Sequence, residues 1–276
     1  MLASTPYLEQ LLQSAREEQG ESCEDILKSW DSDMSTLLLL LHILSPQPAG
    51  RKRTTKISAR QAVDHLILRD FSLLFGPETS ARLLERWPSY KPKLIKEASM
   101  LASTPYLEQL LQSARDEQGE SCEDILKSWD SDMSTLLLLL HILSPQPAGR
   151  KRTTKISARQ AVDHLVDFHK SCRSLEEHLD ADERRQPYLL ASGTSRRAIS
   201  NYYIVMDKKL ILCQGTTSLA AFDELFKVHF VFSLNYDEAL CSMYTFIQTA
   251  VFGIDVGITK ATPKVKDLRA KLLNDV

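Results

Sequence analysis

Residues 1–66 and 100–165 are one segment written twice: 65 of 66 positions are identical, the exception being Glu17 against Asp116. Repeat arrays keep their buried pattern, let surface positions drift, and need three or more units to bury a continuous core. Here the surface charges match as well as the apolar positions, so packing does not account for the identity. It points to a recent duplication at the DNA level, either of an exon or in a gene model joined across neighbouring copies. After Leu66 the chain reads Ile67-Leu68-Arg69-Asp70-Phe71, and after Leu165 it reads Val166-Asp167-Phe168-His169-Lys170, which continues a helical pattern. The expected organisation is a stray partial copy over 1–66, a helical segment over 67–165 and an α+β module over 166–276. Two identical leucine stripes, Leu37 to Leu44 and Leu136 to Leu143, then compete for one C-terminal module. Covalent continuity favours the second, because the entropy of closing a longer loop counts against the first.

The complete unit begins with Gly76-Pro77 before Glu78–Trp87, and Pro88 brackets that run as a short helix, with a weaker one over Lys91–Ala98. Thr104-Pro105 reads as an N-cap with proline in the first helical position. A helix from about Ser134 to Leu143 stops at Ser144-Pro145-Gln146-Pro147-Ala148-Gly149. Ser157 and Gln160 form a capping box, and Ala161, Val162, Leu165 and Phe168 share the face of the helix that follows. Segment 166–276 changes character. Tyr188–Ala191, Ser200–Met206 and Leu210–Cys213 read as strands, with Asp207-Lys208-Lys209 as a turn. Ser218 heads a helix whose end is ambiguous, since Val228, Phe230 and Phe232 also alternate like a strand. Asn235 with Glu238 suggests another capping box before a helix that ends at Gly253, and Pro263–Leu273 suggests a short basic helix. The fold class expected is α+β: mostly helical, with a small antiparallel hairpin or meander covered by helices.

Apolar residues make up 43% of the chain and charged residues 25%, with a formal net charge of −2. No global field draws such a chain to nucleic acid or a membrane. The five cysteines are odd in number and form no CxxC pair, which is the usage of a reduced, intracellular protein, cytoplasmic or nuclear rather than secreted. The longest apolar block is far short of a membrane span.

Candidate chemistry is sparse. Arg150, Lys151, Arg152, Lys155 and Arg159 put five cations in one stretch with no anion, a possible interaction loop. No aromatic residue interleaves with them to stack on bases, so a solvated linker is the simpler reading. The acidic stretch Met100–Thr135 offers it an intramolecular partner. Asp163, His164, Asp167 and His169 do not fall on one helical face at ligand spacing, and a capped amphipathic helix explains them. Asp207, Asp223 and Glu224 are accounted for by a turn and by first-turn helix charge. No catalytic residue, cofactor or metal site is expected. The aromatic set Tyr202, Tyr203, Phe222, Phe226, Phe230, Phe232, Tyr244 and Phe246 is most simply a core.

One ordered string of motifs runs through 67–276. It comprises Phe71-Ser72-Leu73-Leu74-Phe75-Gly76, Glu85-Arg86-Trp87-Pro88, Asp132-Met133-Ser134-Thr135 with its leucines, and Gly149-Arg150-Lys151-Arg152. It continues with Gln160–Leu165, Pro187-Tyr188-Leu189-Leu190, Asn201–Val205, Ala221–Lys227 and Tyr244–Gln248. This string resembles the C-terminal region of a multicopy family of animal proteins labelled sterile alpha motif domain-containing protein 3-like. The resemblance implies no reaction. The motif behind the label lies upstream in fuller members and has no counterpart in this sequence. The function expected is a non-enzymatic intracellular protein-interaction module with an unidentified protein partner. The alternative is a nucleic-acid-associated protein, of mobile-element origin, using the basic loop and basic tail.

Overall fold

A computed structural model describes residues 59–116, 128–144, 156–171 and 186–273, with positions 179 and 184. The chain falls into two compact units, Met1–Leu66 and Ile67–Val276, divided where the stray copy ends. Leu37 to Leu44 lie outside the described residues.

Helix α1 spans Ala59–Phe75 and α2 spans Pro77–Ser99. Between them Gly76 has φ of 85°, which a side chain would resist. Pro88 and Pro92 do not interrupt α2, which corrects the two short helices expected there. Each proline removes one backbone hydrogen bond and crowds the carbonyl four residues back. The two are four apart and both exposed, so the freed carbonyls lie on the solvent side. The opposite side buries Leu83, Trp87, Tyr90, Leu94 and Ala98, and that packing holds the helix through both breaks.

Helix α3 (Pro105–Arg115) is capped by Thr104, as expected, and α4 spans Ser131–Ile142 with Asp130 as its cap. All residues from Met133 to Leu140 are buried, so α4 has no polar face. It packs against α2, α3, the short helix α5 (Ala158–Leu165) and α6 (Ser218–Val231). Helix α5 carries the expected Ser157–Gln160 capping box.

The sheet has four strands in the order β1 (Val166–Lys170), β2 (Tyr188–Ser195), β3 (Ala198–Met206) and β4 (Lys209–Leu212). β2, β3 and β4 form the antiparallel meander read from the sequence. Asp207 and Lys208 both have positive φ, as a two-residue hairpin turn matching the strand twist requires. β1 is an addition and makes the sheet mixed: Val166 to Lys170 pair in parallel with Leu189 to Gly193. Those five residues were expected to extend the preceding helix. The octapeptide Ala-Arg-Gln-Ala-Val-Asp-His-Leu does run on as helix in α1, but at Leu165 the same letters stop. The open edge of β2 offers backbone partners that Val166 and Phe168 can use, and side-chain periodicity carries no trace of that edge.

Helix α6 runs through Val231, so the ambiguous stretch is helical, although Phe232 falls just outside it. The expected cap at Asn235 is not used. Helix α7 starts at Cys241 with no side-chain cap, because Leu240 stands at the cap position and has no polar group, while Asp237 takes the Ala239 N–H at 2.7 Å within the preceding loop. Helix α7 (Cys241–Phe246) widens into a π-helical turn, Ile247–Phe252, and ends at Gly253 with φ of 70°. The carbonyls freed there are taken by α2. Arg82 donates to Phe252, Arg86 to Val251 at 2.6 Å and Tyr90 to Ala250 at 3.4 Å. A helix C-terminus carries partial negative charge, so two guanidinium groups suit it. Helix α8 (Pro263–Leu273) is the tail helix expected, held to α2 through Lys93 and the Lys271–Glu97 pair.

Two outcomes follow. Residues 67–276 made without 1–66 should unfold in one cooperative transition by calorimetry; a molten truncated chain would show the stray copy to be structural. Leu138→Ala, at a position 0% exposed, should cost ~2–5 kcal/mol in urea unfolding.

Candidate functional site

The candidate site is a cleft of 590 Å³ where the first turns of α4 and α6 meet β3. Three carboxylates (Asp116, Asp130 and Asp132), two cations (Lys91 and Arg197) and several hydroxyls line it. Asp130 is there because α4 needs a cap: its Oδ1 accepts the Met133 N–H at 2.9 Å. The same oxygen accepts the Ser218 hydroxyl at 2.6 Å, and Oδ2 lies 3.5 Å from the Tyr202 hydroxyl. One carboxylate therefore ties the starts of two helices to the sheet. Burial first, and then the Asp130 charge, push the Tyr202 phenol up from its ordinary value. Asp132 accepts from Trp87 Nε1 at 2.9 Å and from Lys91 at 2.8 Å, two residues one turn apart on α2. Asp116 follows the last residue of α3 and accepts from Arg197 Nη1 at 3.2 Å. The other two guanidinium nitrogens of Arg197, Nε and Nη2, are buried and have no hydrogen-bond acceptor among the described residues.

None of these residues was singled out as a site from the sequence. Asp130 and Thr217 could have been found as N-caps, but nothing local marks Arg197 or Tyr202. Asp116 is the one position at which the two copies of the repeat differ.

Of the basic loop, Arg150, Lys151, Arg152 and Lys155 lie outside the described residues. Arg159 is exposed in the first turn of α5, its Cζ 5.3 Å from the centre of the Tyr106 ring. Arg196, in the β2–β3 turn, lies 5.2 Å over Trp129 and also acts electrostatically on Tyr106. The fold thus supplies aromatic neighbours that the local sequence lacks. His164 does not join His169: its Nδ1 is 2.9 Å from Asp237, and Asp167 pairs with Arg184 at 3.1 Å. Asp223 and Glu224 diverge. Glu224 accepts the Gln214 and Gly215 N–H groups, whereas Asp223 forms a buried pair with Lys227. Among the described residues no group of three or more His, Cys, Asp or Glu side chains is placed to hold a metal ion. Among them, too, no helix is long and apolar enough to cross a membrane.

Helix α6 also carries the most perturbed groups. Burial holds the His229 imidazole down, to about 4, with its Nδ1 turned to the Leu225 carbonyl. Burial pushes the Asp223 carboxyl up, and Lys227 opposes it. These groups lie in the core and do not line the cleft. Their consequence is on stability. As pH falls from 6.5 towards 4, the unfolded chain takes up a proton at His229 that the folded chain refuses, so stability drops. Comparing wild type with His229→Leu across that window should reveal a contribution of up to ~1.4 kcal/mol per pH unit. Identical pH profiles for the two proteins would show that His229 does not titrate in this way. Asp130→Ala should cost about 1–2 kcal/mol by urea unfolding, as the loss of an N-cap typically does.

No family model, curated protein or solved structure matches the chain.

Proposed function

We propose that the chain is a non-enzymatic, intracellular protein-interaction module and that the cleft beneath α4 and α6 receives the partner. The observation that carries this reading is the way the cleft is lined. Its polar groups are fixed by hydrogen bonds to helix starts and to one another, so they form a rigid recognition surface. Asp130 and Asp132 are committed as a cap and an ion-pair partner, which suits binding better than proton transfer. Rigid polar linings favour specific recognition, because little ordering entropy remains to be lost on association.

Filling the cleft tests this. Thr216 is an exposed lining residue, so Thr216→Trp should leave the fold intact while removing proteins that co-purify with wild type. Recovery of the same proteins with both chains would refute the cleft as the contact.

The second reading, nucleic-acid association, is supported by Arg159 and Arg196 lying over Tyr106 and Trp129. Trp129 is only 4% exposed, which leaves little ring surface for a base. Binding of single-stranded RNA at physiological salt should therefore be weaker than micromolar. Submicromolar binding that falls steeply with salt and disappears when Arg150, Lys151 and Arg152 are replaced together would promote this reading over the first.

A further inference from the structure

We infer that the outward face of α1 is where two copies of this chain meet, with the two helices side by side and parallel. The inward face of α1 is fixed. Ile67 and Phe71 are buried, and the Phe71 ring lies among those of Phe75, Phe226, Phe230 and Phe252 at centroid distances of 4.8–6.4 Å. The helix therefore cannot turn to cover its other side, which leaves Leu73 74% and Leu74 60% exposed. Leu66, half-buried, is two turns before Leu73 on the same stripe, since residues seven apart return to one face. Arg69 and Asp70 sit between them in height and on opposite flanks of the stripe, because each residue turns the helix by about 100°. None of these residues lines the cleft, so the inference stands apart from the cleft reading.

Such a stripe is complementary to itself in one direction only. In an antiparallel pair like flanks face each other, which sets Arg69 against Arg69 and Asp70 against Asp70. In a parallel pair the flanks are exchanged: Arg69 of each copy meets Asp70 of the other, and the contact is made twice. Leu66 and Leu73 then meet their own counterparts along the middle, and Leu74 borders them. Like charges held together oppose association and unlike charges fix register, so the charges select the parallel arrangement. The occupant that fits is a second copy, because that surface carries both charges at the required spacing. Burial already pushes the Asp70 carboxyl up, and a guanidinium from the second copy offsets that cost. A face this short buries less than the standard interface, so the dimer is weak, with a Kd on the order of 100 μM.

The test uses the full chain in sedimentation velocity from micromolar to millimolar concentration. Wild type should pass from monomer to dimer over that range. Arg69→Asp and Asp70→Arg, each alone, put like charges together on both flanks and should weaken the dimer tenfold or more. An equimolar mixture of these two variants places an Asp–Arg contact on each flank and should associate at least as tightly as wild type. A chain carrying both substitutions should dimerise like wild type, which decides the matter if either single variant does not fold. Leu73→Ser, at an exposed position, should weaken the dimer tenfold or more. A wild type that stays monomeric at millimolar concentration overturns the inference, and is the result expected if residues 1–58 of the same chain take this face. Dimers unchanged by the single substitutions use another surface and overturn it as well, as does a mixture that associates no more tightly than its components.

Discussion

A helix with no polar face must be enclosed on every side, and α4 is such a helix. Leu136, Leu137, Leu138 and Leu139 are each 0% exposed. Five consecutive leucines project around the whole circumference of a helix, so one neighbour cannot cover them. The structure surrounds them with α2 and α3 from the chain before and α5 and α6 from the chain after. This explains why Ile67–Val276 forms one unit although its first half is helical and its second half carries the sheet.

The polar constraints follow from that burial. A helix buried along its length still has free N–H groups at its start, and these must be satisfied where water is scarce. Asp130 does this for α4 and, through Ser218, reaches the start of α6. At the opposite end of another buried helix, Arg82 and Arg86 reach the freed carbonyls of the π turn. The long-range polar contacts are therefore concentrated at helix termini. The cleft is a product of the same geometry, because two capped helix starts meeting at a strand leave a polar recess.

The buried Asp223–Lys227 pair and the neutral His229 fit this pattern less easily. Among the described residues, Asp223 Oδ1, His229 Nε2 and the Tyr244 hydroxyl have no hydrogen-bond partner. Their burial among Phe71, Phe222, Phe226 and Tyr236 places titratable groups inside an aromatic core. A paired buried charge adds little net stability but is costly to break, and this pair joins two successive turns of α6 itself.

Local signals alone were enough for much of the fold. The Thr104 cap, the Ser157–Gln160 box, the β2–β3–β4 meander and the tail helix depend on neighbours within a few residues, and each stands where the letters put it. The apolar character of Leu136–Leu140 and the aromatic core could also be read, since burial follows composition. The tertiary structure decided the rest. Pro88 and Pro92 look like breakers until the buried face of α2 is seen to outweigh two lost hydrogen bonds on the solvent side. The fate of an identical octapeptide, helix running on in α1 and strand beginning after Leu165, is set by the open edge of β2. The cleft was illegible for the same reason. Asp116, Asp130, Arg197 and Ser218 are up to 102 positions apart in the sequence, and no pattern with the period of a helix or strand can register a contact made only when distant segments pack.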